Sequence, residues 1–389
     1  MAAIVRQDFP GELVSALRMP RAFSPQKILF AESSPNVGGQ ELQILQQMRG
    51  LGDFGVEARL LAPPSSGVAR LALAHGLPLS AVEFRGALDP QSVVRTLAII
   101  RAWRPQAVVS HSSHDSYVCA LAARFVRPRP ILIRVKTYQG GRRPRTWALN
   151  HLFDKVLVPS AALRAELERG GDSTRSSIGI LYPGIDFAAL DRDRMLPLPR
   201  EVERWIERRP GFLITQAAML RPEKGHLFML EVFKKFLAET PNARYIIAGD
   251  GPMRAEIEHR VKGLGLHDHV LVAGFISAVA PLLVRADLVV APSFVESLGM
   301  LQAEALGLGV PVLASDVGGI PESFAGSEAG ILVMAGSKEA WGRALRRVHD
   351  DHAALCAKAS AGAMSVRTRF SMTANMQQLL ETIMAGRAS

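Results

Sequence analysis

The chain runs to 389 residues, 48% hydrophobic and 21% charged, enough for two separate cores and ordinary for a soluble globular protein. No apolar run reaches the ~18 residues that a membrane-spanning helix needs, and residues 1–26 lack the continuous apolar stretch of a secretory signal. The net charge of +10 lies wholly in residues 1–200, with 26 Lys and Arg against 16 Asp and Glu, whereas residues 201–389 balance at 20 against 20. Residues 101–150 hold ten basic side chains against one acidic one, Asp115. Such a surface draws phosphates, anionic lipid or nucleic acid, or serves solubility alone. Aromatics at 6%, with no zinc-ligand or RNA-recognition pattern, argue against nucleic acid. Cys119 and Cys356 stand far apart among helix-forming residues, which predicts buried thiols in a reducing cytoplasm rather than a disulfide.

In chain order, residues 1–26 read as a loosely ordered lead-in. Lys27-Ile-Leu-Phe-Ala-Glu is a strand, and Gly38-Gly39 separates it from a helix starting at Gln40. A glycine pair there lets a ligand approach the backbone closely, and is also a common turn. Strand-like runs recur at 57–62, 106–110, 130–135, 154–158 and 178–182, with helical segments between most of them. That alternation predicts βαβ units and a parallel sheet. His111-Ser-Ser-His114-Asp115 follows one of these strands, where such sheets bind ligands; metal ligation by His111, His114 and Asp115 is one reading of it. Lys136–Arg145 is a basic loop carrying Arg142, Arg143 and Arg145, and residues 187–209 read as a linker with one amphipathic helix. No internal repeat is evident.

The second half opens on the strand Gly211-Phe-Leu-Ile-Thr and the loop Arg221-Pro-Glu-Lys224-Gly225. Two cations between a strand and a helix form a diphosphate clamp or a plain charged turn. Gly249-Asp-Gly251 has Arg254 where a third glycine would complete a dinucleotide fingerprint. Val272-Ala-Gly274-Phe275 is a further turn. The apolar run Ala286–Ala291 stops at Pro292-Ser293, and a loop with Glu296 leads into a helix over Met300–Leu308. Gly307 and Gly309 read as the breakers that end it. Val310–Ala314 is the next strand, with Pro311 suiting an edge or a strand start. The unpaired N–H groups near Gly299, Met300 and Leu301 offer a phosphate site. Glu296 and Glu304 would repel phosphate, so they suit the neutral hydroxyls of a sugar and a ribose, or else sit in solvent as surface acids. Trp341–Val348, Ala353–Met364 and Phe370–Met384 are helical in pattern.

Pro292-Ser-x-x-Glu296-Ser-x-Gly299-x-x-x-x-Glu304-Ala-x-x-x-Gly309-x-Pro311-Val resembles the donor-site signature of retaining glycosyltransferase family 4. The resemblance covers most of the chain. It includes Tyr182-Pro-Gly-Ile-Asp186, Gly249-Asp-Gly251-Pro, the nucleobase-contacting turn at Gly274-Phe275, and Gly318-Gly-Ile-Pro-Glu322. The family's Gly-Arg-Leu-x-Pro-Glu-Lys-Gly is matched at Lys224, but Met219 replaces its Arg, and Arg221 is the candidate substitute. The His111 stretch resembles bacterial lipopolysaccharide-type members, which places His111 at the sugar cleft. Thr137 stands where many members carry a His.

The resemblance implies an α/β fold of two doubly wound Rossmann-like domains facing a cleft (GT-B type). Residues 1–195 would bind the acceptor, with helix 370–389 packing back on them, and residues 196–369 would hold the donor. Arg221, Lys224 and the helix N-terminus at Gly299–Leu301 would stabilise a departing diphosphate, Glu296 would orient the sugar, and Glu304 would hold the ribose. Gly38, Gly39, Gly274 and Phe275 complete the expected binding set. The implied donor is a nucleotide diphosphate-sugar, UDP- ahead of GDP-, with no metal, no resident cofactor and no protein nucleophile. The implied acceptor is an anionic lipid-linked or lipopolysaccharide-type glycan, reached from the cytoplasm by a protein held peripherally on an anionic membrane. A nucleotide-sugar epimerase and a catalytically lapsed binding protein stay open as alternatives.

Overall fold

The structure, a computed structural model, describes residues 27–137, 152–169, 178–208 and 210–388. The lead-in and Arg142, Arg143 and Arg145 lie outside the described residues.

Near-continuous apolar runs form strands buried on both faces, the mark of parallel sheets covered by helices. The first sheet contains β1 (Lys27–Ala31), β2 (Glu57–Ala62), β3 (Leu79–Ala81), β4 (Ala107–Ser110), β5 (Ile131–Val135), β6 (Lys155–Val158) and β7 (Ile178–Ile180). Its seven strands lie in the order 3-2-1-4-5-6-7. The second contains β8 (Leu213–Ala217), β9 (Arg244–Ala248), β10 (Val270–Gly274), β11 (Leu288–Ala291), β12 (Val312–Ser315) and β13 (Gly330–Val333). Its six strands lie in the order 10-9-8-11-12-13. Strand order reverses between β1 and β4 and between β8 and β11, the switch points where doubly wound sheets open a crevice at their carboxyl ends. Both sheets are therefore Rossmann-like.

Backbone proximity divides the described chain into two units, one of residues 27–134, 152–155 and 376–388, the other of 135–137, 156–169, 178–208 and 210–375. The second unit holds a large aromatic and aliphatic core that includes Trp341, Tyr245, Phe233 and Phe236. In the first, Ile28, Leu29, Phe30, Leu60 and Leu61 are fully buried.

Some sequence expectations change and others are narrowed. The edge strand β3 was not anticipated, because its three residues are too few to show a period. Pro311 stands just before β12, which runs between β11 and β13; it marks a strand start and not an edge. Gly307 is the last residue of its helix, Met300–Gly307, and it is also held there by packing, since a Cβ would sit 2.3 Å from the Phe187 ring. Gly309, at φ +79°, is the left-handed residue that turns the chain. The last helix starts at Met372, not Phe370, because Ser371 is extended and pairs with Ile185. The Ile185 N–H donates to Phe370 O at 2.7 Å and the Met372 N–H to Ile185 O at 3.1 Å. Both cysteines are free thiols, Cys119 buried but Cys356 only half-buried.

Candidate active site

The site in the second unit is built from the carboxyl ends of β8, β10 and β11. After β8 the chain makes a tight 3-10 turn, Pro222–Lys224, and enters the helix His226–Glu239 through Gly225. Gly225 has φ +70°, and a Cβ on it would lie 2.0 Å from Pro292 O. Only glycine allows both that conformation and that contact. The turn is thereby pressed against the segment leaving β11, and the Phe294 N–H donates to Glu223 O at 2.8 Å. This brings Lys224 Nζ into an ion pair with Glu296 Oε2, both side chains largely shielded from solvent. Two residues 72 positions apart in sequence thus share one charge pair. Arg221 is not gathered in with them; its side chain is exposed and lies 4.0 Å from Glu223.

The helix Met300–Gly307 follows. Gly299 precedes it at φ +93°, and a Cβ there would fall 2.5 Å from the Gln302 side chain. The chain enters the helix abruptly, and the first-turn N–H groups of Met300 and Leu301 have no partner within the helix. Glu304 lies one turn in, half-buried, and makes no ion pair among the described residues. Burial pushes its carboxyl up to about 7, because water no longer solvates the anion. At the end of β10, Gly274 O accepts the Gly249 N–H at 2.8 Å, and Phe275 stands 75% exposed.

In the first unit His111 is buried at the end of β4. Its Nδ1 lies 3.3 Å from Ala31 O, and its ring stacks on Phe30. Burial lowers its pKa to about 4, so it is neutral, with Nδ1–H donating and Nε2 left as an acceptor. The metal reading fails. His114 is exposed, whereas the buried Asp115 accepts N–H groups of Ser112 and Ser116. No group of three His, Cys, Asp or Glu among the described residues could hold a metal. Gly38 caps the helix Gly39–Leu51 with ordinary extended backbone, its N–H donating to Glu41 Oε2 at 2.7 Å. The space above Gly39 is open.

The chain as a whole is similar to known proteins. The family model "Glycosyl transferases group 1" matches residues 200–364, and "Glycosyltransferase Family 4" matches residues 37–189. The chain belongs to the family 4 glycosyltransferases. This glycosyltransferase is 28% identical over 216 residues to 2-deoxystreptamine glucosyltransferase of Streptomyces kanamyceticus, 53% of this chain and 56% of that one. It is 26% identical over 345 residues to sulfoquinovosyl transferase SQD2 of Arabidopsis thaliana, 82% of this chain and 65% of that one. The matches thus span less than two thirds of those two relatives' own lengths. Among solved structures, Anabaena Alr3699/HepE in complex with UDP superposes with a TM-score of 0.78 at 20% identity, over 92% of this chain and all of that one.

Two buried polar residues beside these candidate site residues, one in each unit, escaped the sequence reading. Gln302, which fills the space beside Gly299, is buried; a polar side chain on the packed face of a short helix was the available signal. Glu32, fully buried at the end of β1, accepts from the Ser34 N–H, Gln40 Nε2 and Ser112 Oγ. It ties the Gly38-Gly39 loop to the start of the helix Ser113–Ala123. The signal was an acid directly after a wholly apolar run.

Proposed function

We propose that this family 4 glycosyltransferase moves a sugar from a nucleotide diphosphate-sugar, with retention and without a metal, to an anionic lipid-linked or lipopolysaccharide-type glycan. The carrying observation is the Lys224–Glu296 pair in the same unit as the Gly299 helix entrance. As the bond from the sugar's anomeric carbon to the β-phosphate breaks, negative charge grows on that phosphate. Lys224 and the N–H groups of Met300 and Leu301 meet that charge, with Arg221 swinging in from solvent. Fixed positive charge of this kind makes a divalent ion unnecessary. Glu296, released from Lys224, accepts the sugar's hydroxyls, and Glu304 accepts those of the ribose. The acceptor hydroxyl attacks on the face from which the phosphate leaves and gives that phosphate its proton, so no protein nucleophile is needed.

The UDP complex of the Anabaena protein favours UDP over GDP as the donor's nucleotide. Gly274 and Phe275 receive the base. Residues 196–369 act as the donor half. Residues 1–195, with the helix over 370–389, act as the acceptor half, with His111, Gly38 and Gly39 as its sugar-binding residues. The basic charge of residues 1–200 suits a protein working at the cytoplasmic face of an anionic membrane.

The test is a screen of UDP- and GDP-sugars with lipid-linked glycan acceptors, with product linkage read by NMR. Lys224→Ala should lower turnover ~100-fold, the scale of losing one charge-stabilising donor. Wild-type turnover in that variant, or conversion of the donor with no acceptor present, overturns the reading.

A further inference from the structure

The Arg221–Lys224 turn can be accounted for carbonyl by carbonyl. Arg221 O accepts the Lys224 N–H at 3.1 Å, and Pro222 O accepts the Gly225 N–H at 3.3 Å. Glu223 O accepts the Phe294 N–H at 2.8 Å. All three bonds are backbone to backbone, so no side-chain substitution removes them directly. Lys224 O is different: its partner is a side chain, Gln216 Nε2, at 2.8 Å. Gln216 Oε1 in turn accepts the hydroxyl of Tyr245.

The two side chains share one face of the sheet. Ile214 of β8 is in register with Tyr245 of β9, and Gln216 lies two residues after Ile214 on the same side of the pleat. Gln216 is 1% exposed and Tyr245 fully buried. Burial raises the phenol well above its ordinary pKa, so it keeps its proton and donates. That fixes the amide: its oxygen faces Tyr245 and its NH₂ faces Lys224 O. A glutamine amide buried in a strand interior is costly unless both ends find partners, and here both do.

We propose that Gln216, oriented by Tyr245, is a positioning residue that holds the Lys224 backbone so that its ammonium meets the β-phosphate of the donor. The relay touches no substrate and acts through Lys224. It rests on the proposed phosphate role of Lys224, and the experiment separates the two.

The measurement is equilibrium binding of UDP, GDP and ADP and of their monophosphates, taking the nucleotide that binds tightest and the ratio of diphosphate to monophosphate affinity. Melting temperature is recorded in parallel. Four proteins are compared: wild type, Lys224→Ala, Tyr245→Phe, and the double variant Gln216→Leu/Tyr245→Phe. Lys224→Ala should collapse the ratio towards one. Tyr245→Phe leaves a buried amide oxygen unpaired but keeps the bond to Lys224 O, so it should lower the melting temperature and keep most of the ratio. The double variant replaces both partners of the Tyr245–Gln216 bond by apolar groups of similar shape and should regain part of the melting temperature, the Lys224 carbonyl alone losing its partner. Its ratio should nonetheless fall about tenfold, with monophosphate affinity within twofold of wild type; misplacement by about 1 Å costs up to ~100-fold in such sites. A purely structural role would make the ratio follow the melting temperature across the series. A wild-type ratio in the double variant, alongside a collapsed one in Lys224→Ala, overturns the positioning role alone. An unchanged ratio in Lys224→Ala, or no binding of any of the three diphosphates, overturns the phosphate reading on which it rests.

Discussion

Glu304 begins to ionise near neutrality, which gives the site a pH dependence of definite sign. Its carboxyl is at about 7 in the folded chain against 4.5 for an ordinary glutamate. The folded state therefore carries a penalty that is full above pH 7 and gone below about 4.5. Glu304→Gln should raise unfolding free energy by about 1–3 kcal/mol at pH 8, discounted for partial exposure, and leave it unchanged at pH 4. Denaturant titrations at the two pH values check this; equal effects at both would rule out burial as the cause. In the proposed role of Glu304 a ribose hydroxyl would donate to the ionised form, so nucleotide affinity should fall as pH drops below 7, by at most tenfold per unit, and Glu304→Gln should abolish that slope. The two carboxylates should also part in kinetics. Glu304→Ala should chiefly raise the donor KM, because ribose contacts are alike in ground and transition states. Glu296→Ala should chiefly lower kcat, since contacts to the moving sugar strengthen as the bond breaks. Interchanged phenotypes would sink the assignment.

The elements of the second unit were legible wherever sequence carried a local signal. The strand ending at Pro292, the glycine entrance at Gly299 and the helix after it follow from apolar runs and breakers. What was hidden depended on tertiary neighbours. Gly307 looked like a stop signal and does end its helix, yet it also meets the Phe187 ring, contributed by a helix more than a hundred residues earlier. The Lys224–Glu296 contact was equally invisible, since no spacing rule joins residues 72 apart. Arg221 stands apart from that pair, its exposed side chain 4.0 Å from Glu223, a matter of turn geometry that charge alone does not show. Gly307→Ala tests the packing claim directly. Alanine is the better helix former by about 1 kcal/mol, but its Cβ would fall 2.3 Å from the Phe187 ring. Overpacking of that kind costs typically 1–3 kcal/mol, so unfolding free energy should drop and Phe187→Leu should restore part of it. A stabilised Gly307→Ala protein would show that the ring yields freely.

Across the whole molecule the charge is lopsided, and the described residues refine how. Arg124 and Arg127 are exposed beside Phe125, itself 60% exposed, while Arg129 is engaged by Asp154. Each basic residue near an anionic surface contributes about 1 kcal/mol, within a Debye length of ~8 Å at physiological salt. No helix among the described residues is long and apolar enough to cross a membrane, so any attachment by them would rest on such surface terms. Co-sedimentation should show binding to anionic but not neutral vesicles, weakening with salt, and weaker in an Arg142/Arg143/Arg145→Ser variant. Equal binding to both vesicle types would leave the charge as a solubilising feature. The interleaving of the two units bears on synthesis as well. Leu379, Leu380 and Ile383 are fully buried and belong to the same unit as β1. Burying each contributes roughly 1.5–3 kcal/mol, none of which is available while the ribosome is still short of residue 379. The unit that starts first along the chain is thus completed only after the other has been made in full, and until then it offers a bare apolar face to chaperones.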